Sequence, residues 1–466
     1  MQRLSQISKK YLFWVVMGLF IVIPLYPKFP LFNVPGTYVA IRLEDFLIAF
    51  AALLFFISAW PERDKILKKT ITKAVLLFWG IGLLSLFSGI FLTNTVVPHL
   101  GVLHYLRRVE TMILFFVALY AFSSVEQIKI WLKVMFLITV IVVLYGFGQQ
   151  YFNFPVISTT NKEFSKGLIL FLTPEARVNS TFAGHYDLAA FLAFVVVVIV
   201  VFFFRVKKVL QKFYLVFAGI LSFILLSLTA ARVSFVAAII GITTSLFLTG
   251  HKKLILVLLG ASLIALFISP DLRHRTVATL TVNLLGGGGA KYEPPPQMPG
   301  NTNKFSIENA ATGAATPSGV PIDVAPGEPL NTTELGVYRS FGIRFNEEWP
   351  RAIRAFLKNV FLGTGYSSIT IATDNDYLRS LGEVGLLGTL SLCLIFFIII
   401  KRMVRFIRKA LKRLIYYLIL GLFCGLLTIF LTQTFIDVLE SSKIAELLWL
   451  SLGVGFAAMN LEERNG

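Results

Sequence analysis

Long apolar stretches separated by short polar ones recur along nearly the whole chain of 466 residues. Stretches of roughly 17 to 25 mostly apolar residues can cross about 30 Å of hydrocarbon at a rise of about 1.5 Å per residue. Because unpaired backbone groups are too costly in lipid, these stretches are predicted to be helices. We predict about twelve transmembrane helices, at 11–27, 44–60, 73–94, 109–123, 129–147, 187–204, 213–230, 232–250, 253–270, 380–400, 414–437 and 444–460.

The distribution of charge predicts how these helices are oriented. The chain is 56% hydrophobic and carries a net charge of +18, which by itself could indicate a nucleic-acid partner. The basic residues, however, gather in alternate short loops, as cytoplasmic loops of membrane proteins do, so we predict no nucleic acid. With the N-terminus inside, twelve helices return the C-terminus to the same side. The five basic loops are "RLSQISKK", "ERDKILKKTITK", "RVKKVLQK", "HKK" and "KRMVRFIRKALKR".

One large polar segment, residues 271–379, separates nine helices in residues 1–270 from three in residues 380–466, and the topology places it outside. Its first part, 271–336, is rich in Gly, Pro, Asn and Thr and is predicted to be flexible. Its second part, 337–379, contains "YRSFGIRFNEEWPRAIRAFLKN", with apolar residues at mostly helical spacing. We therefore predict an ordered amphipathic helix near the membrane surface, followed by the Gly-containing turn "FLGTGYSS".

Arginines on the predicted outer side are not explained by the positive-inside rule. Arg232 is the clearest case, since it is the only charged residue between Phe213 and Gly250 and must lie at a tight outer turn. A guanidinium at the edge of hydrocarbon is costly unless it is paired, although it can also extend to lipid phosphates. The other outer arginines are Arg42, Arg107, Arg108, Arg177, Arg339 and Arg344.

A cluster of outer arginines suits a diphosphate, because planar guanidinium groups donate paired hydrogen bonds to phosphate oxygens and keep their charge. A lipid carrier with a diphosphate-linked sugar would fit, its tail staying in the bilayer. For Arg107 and Arg108, local pairing with Glu110 one helical turn away is the alternative.

Two carboxylates flank an amide in "TDNDYLRSLGEVGLLG", where the tenth predicted helix begins. Asp374 and Asp376 are candidates for chemistry at the outer surface. The alternative is a helix cap, since an Asp that precedes a helix accepts the free N–H groups of its first turn. The sequence leaves both interpretations open.

Three stretches in this order resemble the O-antigen ligase and polymerase superfamily of bacterial membrane glycosyltransferases. They are "RVNSTFAGHYDLAAFLAF", "LTAARVSFVAAIIG", and "IRFNEEWPRAIRAFLKNVFLGTGYSS" followed by "DNDYLRSLGEVGLLG". In the ligase branch the residue before the Asn is commonly His, whereas this chain has Asp374. A carboxylate and an imidazole differ in resting pKa, so the departure can place the chain in a related branch.

The resemblance implies a GT-C-like all-α fold in the bacterial cytoplasmic membrane, with both termini cytoplasmic and the active site extracytoplasmic. It implies transfer of a glycan, with inversion, from a polyprenyl-diphosphate carrier to a hydroxyl of a glycan, lipid or protein acceptor. Arginines can stabilise the departing diphosphate, so neither a metal nor another cofactor is predicted. The implied catalytic residues are Asp374, Asn375 and Asp376, and the implied diphosphate ligands are Arg232, Arg344, Arg177, Arg339 and Arg108.

A transporter or flippase of lipid-linked or envelope components is the alternative, since twelve helices with both ends inside suit it equally well. Against transport stands the lack of a charged residue deep in any predicted span, where a coupling ion or proton relay would be expected. The single large outer loop with an ordered end also argues against it.

Overall fold

The computed structural model describes residues 2–26, 30–33, 40–157, 169–170, 172, 177–281, 341–369 and 373–465. These residues are mostly helical. The helices are α1 Gln2–Leu25, α2 Leu43–Ala59, α3 Arg63–Leu67, α4 Thr70–Phe87, α5 Pro98–Ala121, α6 Val125–Phe152, α7 His185–Phe203, α8 Val209–Leu228, α9 Arg232–Thr249, α10 Leu254–Ile268, α11 Pro270–Thr281, α12 Trp349–Lys358, α13 Asp376–Lys409, α14 Leu414–Thr432 and α15 Ser442–Asn465.

Short irregular and extended pieces complete the described chain. A π-helical turn, Ser88–Leu92, extends α4, and a second, Ile343–Glu348, leads into α12. Two antiparallel strand pairs lie between helices; they are β1 Pro30–Asn33 with β2 Ala40–Arg42, and β3 Val156–Ile157 with β4 Ile169–Leu170.

Ten helical segments in the described part of the chain are long and apolar enough to cross a membrane. The prediction of an all-α, multi-pass membrane protein is therefore confirmed at this level. The segments are α1, α2 with α3, α4 with its π turn, α6, α7, α8, α9, α13, α14 and α15.

Two of the twelve predicted helices are not among these ten. The predicted span 109–123 overlaps the second half of α5, which carries Arg107, Arg108 and Glu110, so its apolar part is short. The predicted span 253–270 corresponds to α10, which has only 15 residues and meets α11 at a bend of 105°. Counting α10 and α11 as one broken span gives eleven segments, and the number twelve stays a prediction.

Burial separates a central layer of helices from a peripheral one. Within α15, 89% of the most apolar window is buried, and this helix packs along α5, while α14 packs against α7 and α9. In α8 the corresponding fraction is 28%. Its side chains Phe213 and Phe217 are exposed, as is Phe267 of α10, which suits helices whose outer faces contact lipid.

A break in α13 anchors the segment that follows α12. Gly385 has φ +66° and Gly363 has φ +69°. A Cβ on Gly363 would lie within 2.6 Å of the α13 backbone, and a Cβ on Gly385 would lie equally close to the backbone of the segment after α12. The close approach lets the Thr364 and Gly365 amides donate to the carbonyls of Gly382 and Glu383, at 2.9 and 2.8 Å. Glycine is needed at these positions because both the backbone angle and the space exclude a side chain. The turn predicted at "FLGTGYSS" thus lies against the first third of α13.

Part of the segment predicted to be flexible is helical. Residues 271–281 belong to α11, which begins with Pro270 after Ser269, whose hydroxyl accepts the Leu272 N–H. Proline in the first turn and a capping hydroxyl both favour helix initiation. The remainder of that predicted segment, 282–336, lies outside the described residues.

Candidate active site

Four arginines from distant parts of the chain meet near Tyr186 at one end of the bundle. Arg177 precedes α7, Arg232 begins α9, and Arg344 lies in the π turn before α12. The Tyr186 hydroxyl is hydrogen-bonded to Arg177 and Arg344, and the charges of the arginines act on one another. We define the arginine cluster as Arg177, Tyr186, Arg232, Arg275, Arg344 and Asp374.

Arg344 and Asp374 form the central ion pair of this cluster. Arg344 Nη2 donates to Asp374 Oδ2 at 2.5 Å, and the side chain of Asp374 is 26% exposed whereas that of Arg344 is 7% exposed. Burial raises the pKa of Asp374, and the neighbouring Asp437 carboxylate adds to this, although Arg344 opposes it. Asp374 is therefore a carboxylate with increased basicity at the accessible edge of the cluster.

The backbone at Asp374 is held in a conformation that few residues adopt. Its φ is +49°, in the left-handed region that Asp and Asn tolerate better than other non-glycine residues. The Asp437 carboxylate accepts the N–H groups of Thr373 and Asn375, both at 2.9 Å, and so fixes the peptides on either side. Strain supported in this way is typical of functional positions.

Asn375 caps α13. Its Oδ1 accepts the Leu378 N–H at 2.9 Å, and its Nδ2 donates to the Thr434 carbonyl at 3.1 Å. The helix cap that the sequence allowed for the aspartates is therefore made by the amide between them. Asn375 thereby orients Asp374 without facing the arginines itself.

An aromatic group lies beside Arg232. The guanidinium is 5.4 Å from the ring centre of Phe341 and donates to the Arg275 carbonyl at 3.2 Å and to the Thr279 hydroxyl. Phe341 packs against Phe345 and Phe435, and Trp349 joins both of these at 4.7 and 5.6 Å. Arg232 lies at the predicted hairpin turn, because α8 ends at Leu228 and α9 begins at Arg232 itself.

Two further groups at the cluster have hydrogen-bonding capacity that the described residues do not use. Trp349 Nε1 and Glu348 Oε2 are buried without a hydrogen-bond partner among the described residues. Burial, together with the negative charge of Asp374, raises the pKa of Glu348 to about 7.

Arg177 Nη1 donates to His185 Nε2 at 2.6 Å, so this ring nitrogen is an acceptor.

Asp376 and Arg108 lie in a second group, on the other side of Asp437. The Asp376 carboxylate accepts the Leu439 N–H at 2.8 Å, and Arg108 binds the Leu439 carbonyl at 3.0 Å and the Glu440 carboxylate. Arg379 is 3.3 Å from Asp437 and 3.5 Å from Glu383. Part of this group lines a cavity of about 20 Å³, which has room for one water molecule. We define the carboxylate cluster as Arg108, Asp376, Arg379, Glu383, Asp437 and Glu440.

The remaining arginines that the sequence predicts on the outer side are paired, as far as the described residues include them. Arg107 donates to Asp45 at 2.6 Å and to Glu110 at 2.9 Å, the second being the pairing that the sequence offered as an alternative. Arg42 binds the Ser442 hydroxyl at 2.7 Å and lies 3.6 Å from Glu44. Arg339 lies outside the described residues.

The structure thus brings Arg177, Arg232, Arg344 and Asp374 together, with Asn375 beside them. Sequence reasoning missed Arg275, which lies in the segment predicted to be flexible. It also missed the contributions of Tyr186, Glu348 and Asp437. Tyr186 lies within "GHYDLAAF", but a neutral hydroxyl at a helix start does not by itself indicate a binding site.

Comparison with known proteins does not identify a family for this chain. No protein-family model and no curated protein matches the chain. The residues and their geometry therefore carry the functional argument.

Proposed function

We propose that the chain is a membrane glycosyltransferase that moves a glycan from a polyprenyl-diphosphate carrier to an acceptor hydroxyl on the extracytoplasmic face. The excess of positive charge in the arginine cluster is the observation that carries this proposal. Four arginines face three carboxylates, Asp374, Glu348 and Asp271, and burial raises the pKa of Glu348 to about 7. A site with this balance favours an anion that brings two or more negative charges.

The location of the cluster supports a lipid-linked donor. Arg232 lies at the first residue of α9 and Tyr186 at the second residue of α7, so the cluster is at the ends of membrane-spanning helices. A polyprenyl tail would remain in the hydrocarbon while the diphosphate meets the guanidinium groups. Phe341 and Trp349 offer rings against which the first sugar could stack.

In the proposed reaction, the diphosphate displaces Asp374 from Arg344 as the donor binds. The released carboxylate, whose pKa burial raises, accepts the proton of the acceptor hydroxyl. The acceptor oxygen attacks the anomeric carbon, a new C–O bond forms with inversion, and the bond from that carbon to the diphosphate oxygen breaks. Polyprenyl diphosphate departs with its charge stabilised by Arg177, Arg232 and Arg344.

The proposed orientation has both termini in the cytoplasm of a bacterium and the arginine cluster outside. It requires α5 and the α10–α11 pair to cross the membrane, giving twelve spans. Alternation of the basic segments supports this, since "KRMVRFIRKALKR" forms the last turns of α13 and its link to α14, at the far end of α13 from Asp374. Cysteine accessibility at Lys252 and at Glu347 would test it, with labelling from outside expected only at position 347.

Reconstitution in vesicles with a labelled lipid-linked glycan tests the proposed activity. We expect the label to leave the carrier and become attached to an added acceptor with a free hydroxyl. Label that stays on the carrier but changes leaflet would instead establish the transporter or flippase. The Arg344→Ala variant provides the matched negative control in either case.

A further inference from the structure

A large groove opens at the opposite end of the bundle from the arginine cluster. It has a volume of about 1170 Å³ and lies between α4, α13 and the last turns of α15. This volume exceeds the range of about 300–1,000 Å³ that is usual for sites that hold drug-sized ligands. The groove therefore has room for more than a small polar ligand.

The walls of the groove change from basic to apolar along its depth. On α13, Lys401, Arg405 and Lys409 lie toward the helix end, whereas Leu394 and Phe397 line the groove one to two turns closer to the bilayer centre. The antiparallel helix α4 repeats the order. There Lys69 and Lys73 precede Ala74 and Leu77, so basic and apolar levels on the two helices match.

The positive charge at the rim is largely uncompensated. Seven basic side chains line the groove and two carboxylates, Glu462 and Glu463, face them. Arg402 uses Glu463, at 3.3 Å, and Asn460, at 2.5 Å. Lys401, Arg405 and Lys409 make no ion pair with a carboxylate in the described part of the chain. Burial, together with the charge of Arg402, lowers the pKa of Lys69, although the Glu62 carboxylate opposes this.

We propose that this groove binds an anionic glycerophospholipid of the adjacent leaflet, with its phosphate among the basic side chains and its acyl chains along the apolar walls. Charge complementarity identifies the occupant, because a lipid phosphate is the anion that is always present at this depth. Basic pockets between membrane helices bind acidic headgroups in this way. Lys401 lies over the Phe397 ring at 5.6 Å, so a phosphate bound there would meet a cation already held in place.

Native mass spectrometry of the purified full chain with added lipid tests the proposal. Phosphatidylglycerol is expected to bind at least tenfold more tightly than phosphatidylcholine. In Lys401→Gln/Arg405→Gln/Lys409→Gln the preference should disappear. The matched control is Lys207→Gln/Lys208→Gln/Lys212→Gln, which removes the same charge from the α7–α8 loop and the first turn of α8, outside the groove, and should keep the preference.

Three results would overturn the proposal. The first is a wild-type protein that does not prefer phosphatidylglycerol to phosphatidylcholine, and the second is an equal loss of this preference in both triple variants. The third is binding of glycerol phosphate as tight as that of the lipid, which would indicate an anion site without acyl-chain contacts. If the groove variant fails to fold, Lys401→Arg/Lys409→Arg keeps the charge and should keep the preference, and Phe397→Ala should weaken lipid binding without changing glycerol phosphate binding. These readouts are independent of glycan transfer and of the proposed enzymatic function.

Discussion

The arginine cluster and the carboxylate cluster are neighbours joined through Asp437, yet their uncompensated charges have opposite signs. Four arginines face three carboxylates, Asp374, Glu348 and Asp271, in the first, whereas in the second Arg108 and Arg379 face four carboxylates. The second cluster is closed by internal ion pairs around a cavity of about 20 Å³. The first retains a partly exposed carboxylate, since the side chain of Asp374 is 26% exposed.

From this difference we infer that the charges of the carboxylate cluster stabilise the fold, whereas those of the arginine cluster are available to bind a ligand. Arg379 ties α13 to the turn before α15, and Asp376 does the same through Leu439. Removing one member of such a buried network leaves another charge uncompensated. In the arginine cluster, by contrast, removing Arg232 relieves repulsion from Arg177, Arg275 and Arg344, so activity and stability should respond differently in the two places.

The largest effect is expected for Asp374→Asn. Loss of the proposed base should lower the transfer rate by about 10²- to 10⁴-fold. Asn tolerates the left-handed conformation, and Arg344 without its carboxylate should bind the donor at least as tightly. Single-turnover transfer and donor binding, measured separately, check this. Donor binding that falls together with the rate would make Asp374 a structural residue.

Arg344→Ala should lower transfer by about 10²- to 10³-fold, since it removes a guanidinium aimed at the departing diphosphate. The matched control is Arg354→Ala, which removes an exposed arginine from α12 and should leave the rate unchanged. Arg344→Lys keeps the charge without the paired donors and should recover only part of the rate. Equal rates in the Arg344 and Arg354 variants would contradict a role of the arginine cluster in catalysis.

Arg379→Met should destabilise the fold by about 3–5 kcal/mol, because it leaves Asp437, Glu383 and Glu440 facing one another without that cation. Arg232→Met should change stability less, because the repulsion from Arg177, Arg275 and Arg344 that it relieves offsets the lost hydrogen bonds to Arg275 and Thr279. Unfolding in detergent, followed by intrinsic fluorescence, provides the measurement. Equal destabilisation by both changes would remove the distinction between the two clusters.

The smallest expected effect concerns pH and Glu348. Its pKa in the folded protein is about 7, above the ordinary value of 4.5, so the folded state binds the proton more tightly than the unfolded state. Stability should therefore fall as pH rises from about 4.5 to 7 and then level off. In Glu348→Gln this part of the pH dependence should vanish from the melting temperatures. An unchanged slope in the variant would show that another group titrates there.

Transmembrane helices could be predicted from the sequence because a helix that crosses lipid needs a long apolar stretch with no polar interruption. The sequence also located Arg232 correctly at a hairpin turn, since a lone charge between two apolar runs leaves no other place. The sequence does not predict α11, because a proline and a polar composition favour a flexible segment and outweigh the single capping hydroxyl of Ser269. Helix starts that depend on one hydroxyl are weak signals in a polar segment.

The roles within Asp374-Asn375-Asp376 could not be divided from the sequence. Three adjacent polar residues are equally suited to capping, pairing or chemistry, and only the path of the backbone assigns them. The positive φ at Asp374 turns its side chain to Arg344, Asn375 takes the cap, and Asp376 points to Leu439.

The sequence by itself determined that this protein folds in a membrane. It also determined that the arginines not explained by the positive-inside rule lie at one end of the bundle. Both follow because hydropathy and charge act locally along the chain. Which arginines meet, which carboxylate faces them, and where a basic groove opens were decided by tertiary structure alone. Coulomb interactions depend on distance, and only packing brings residues 177, 232, 275 and 344 within reach of one another.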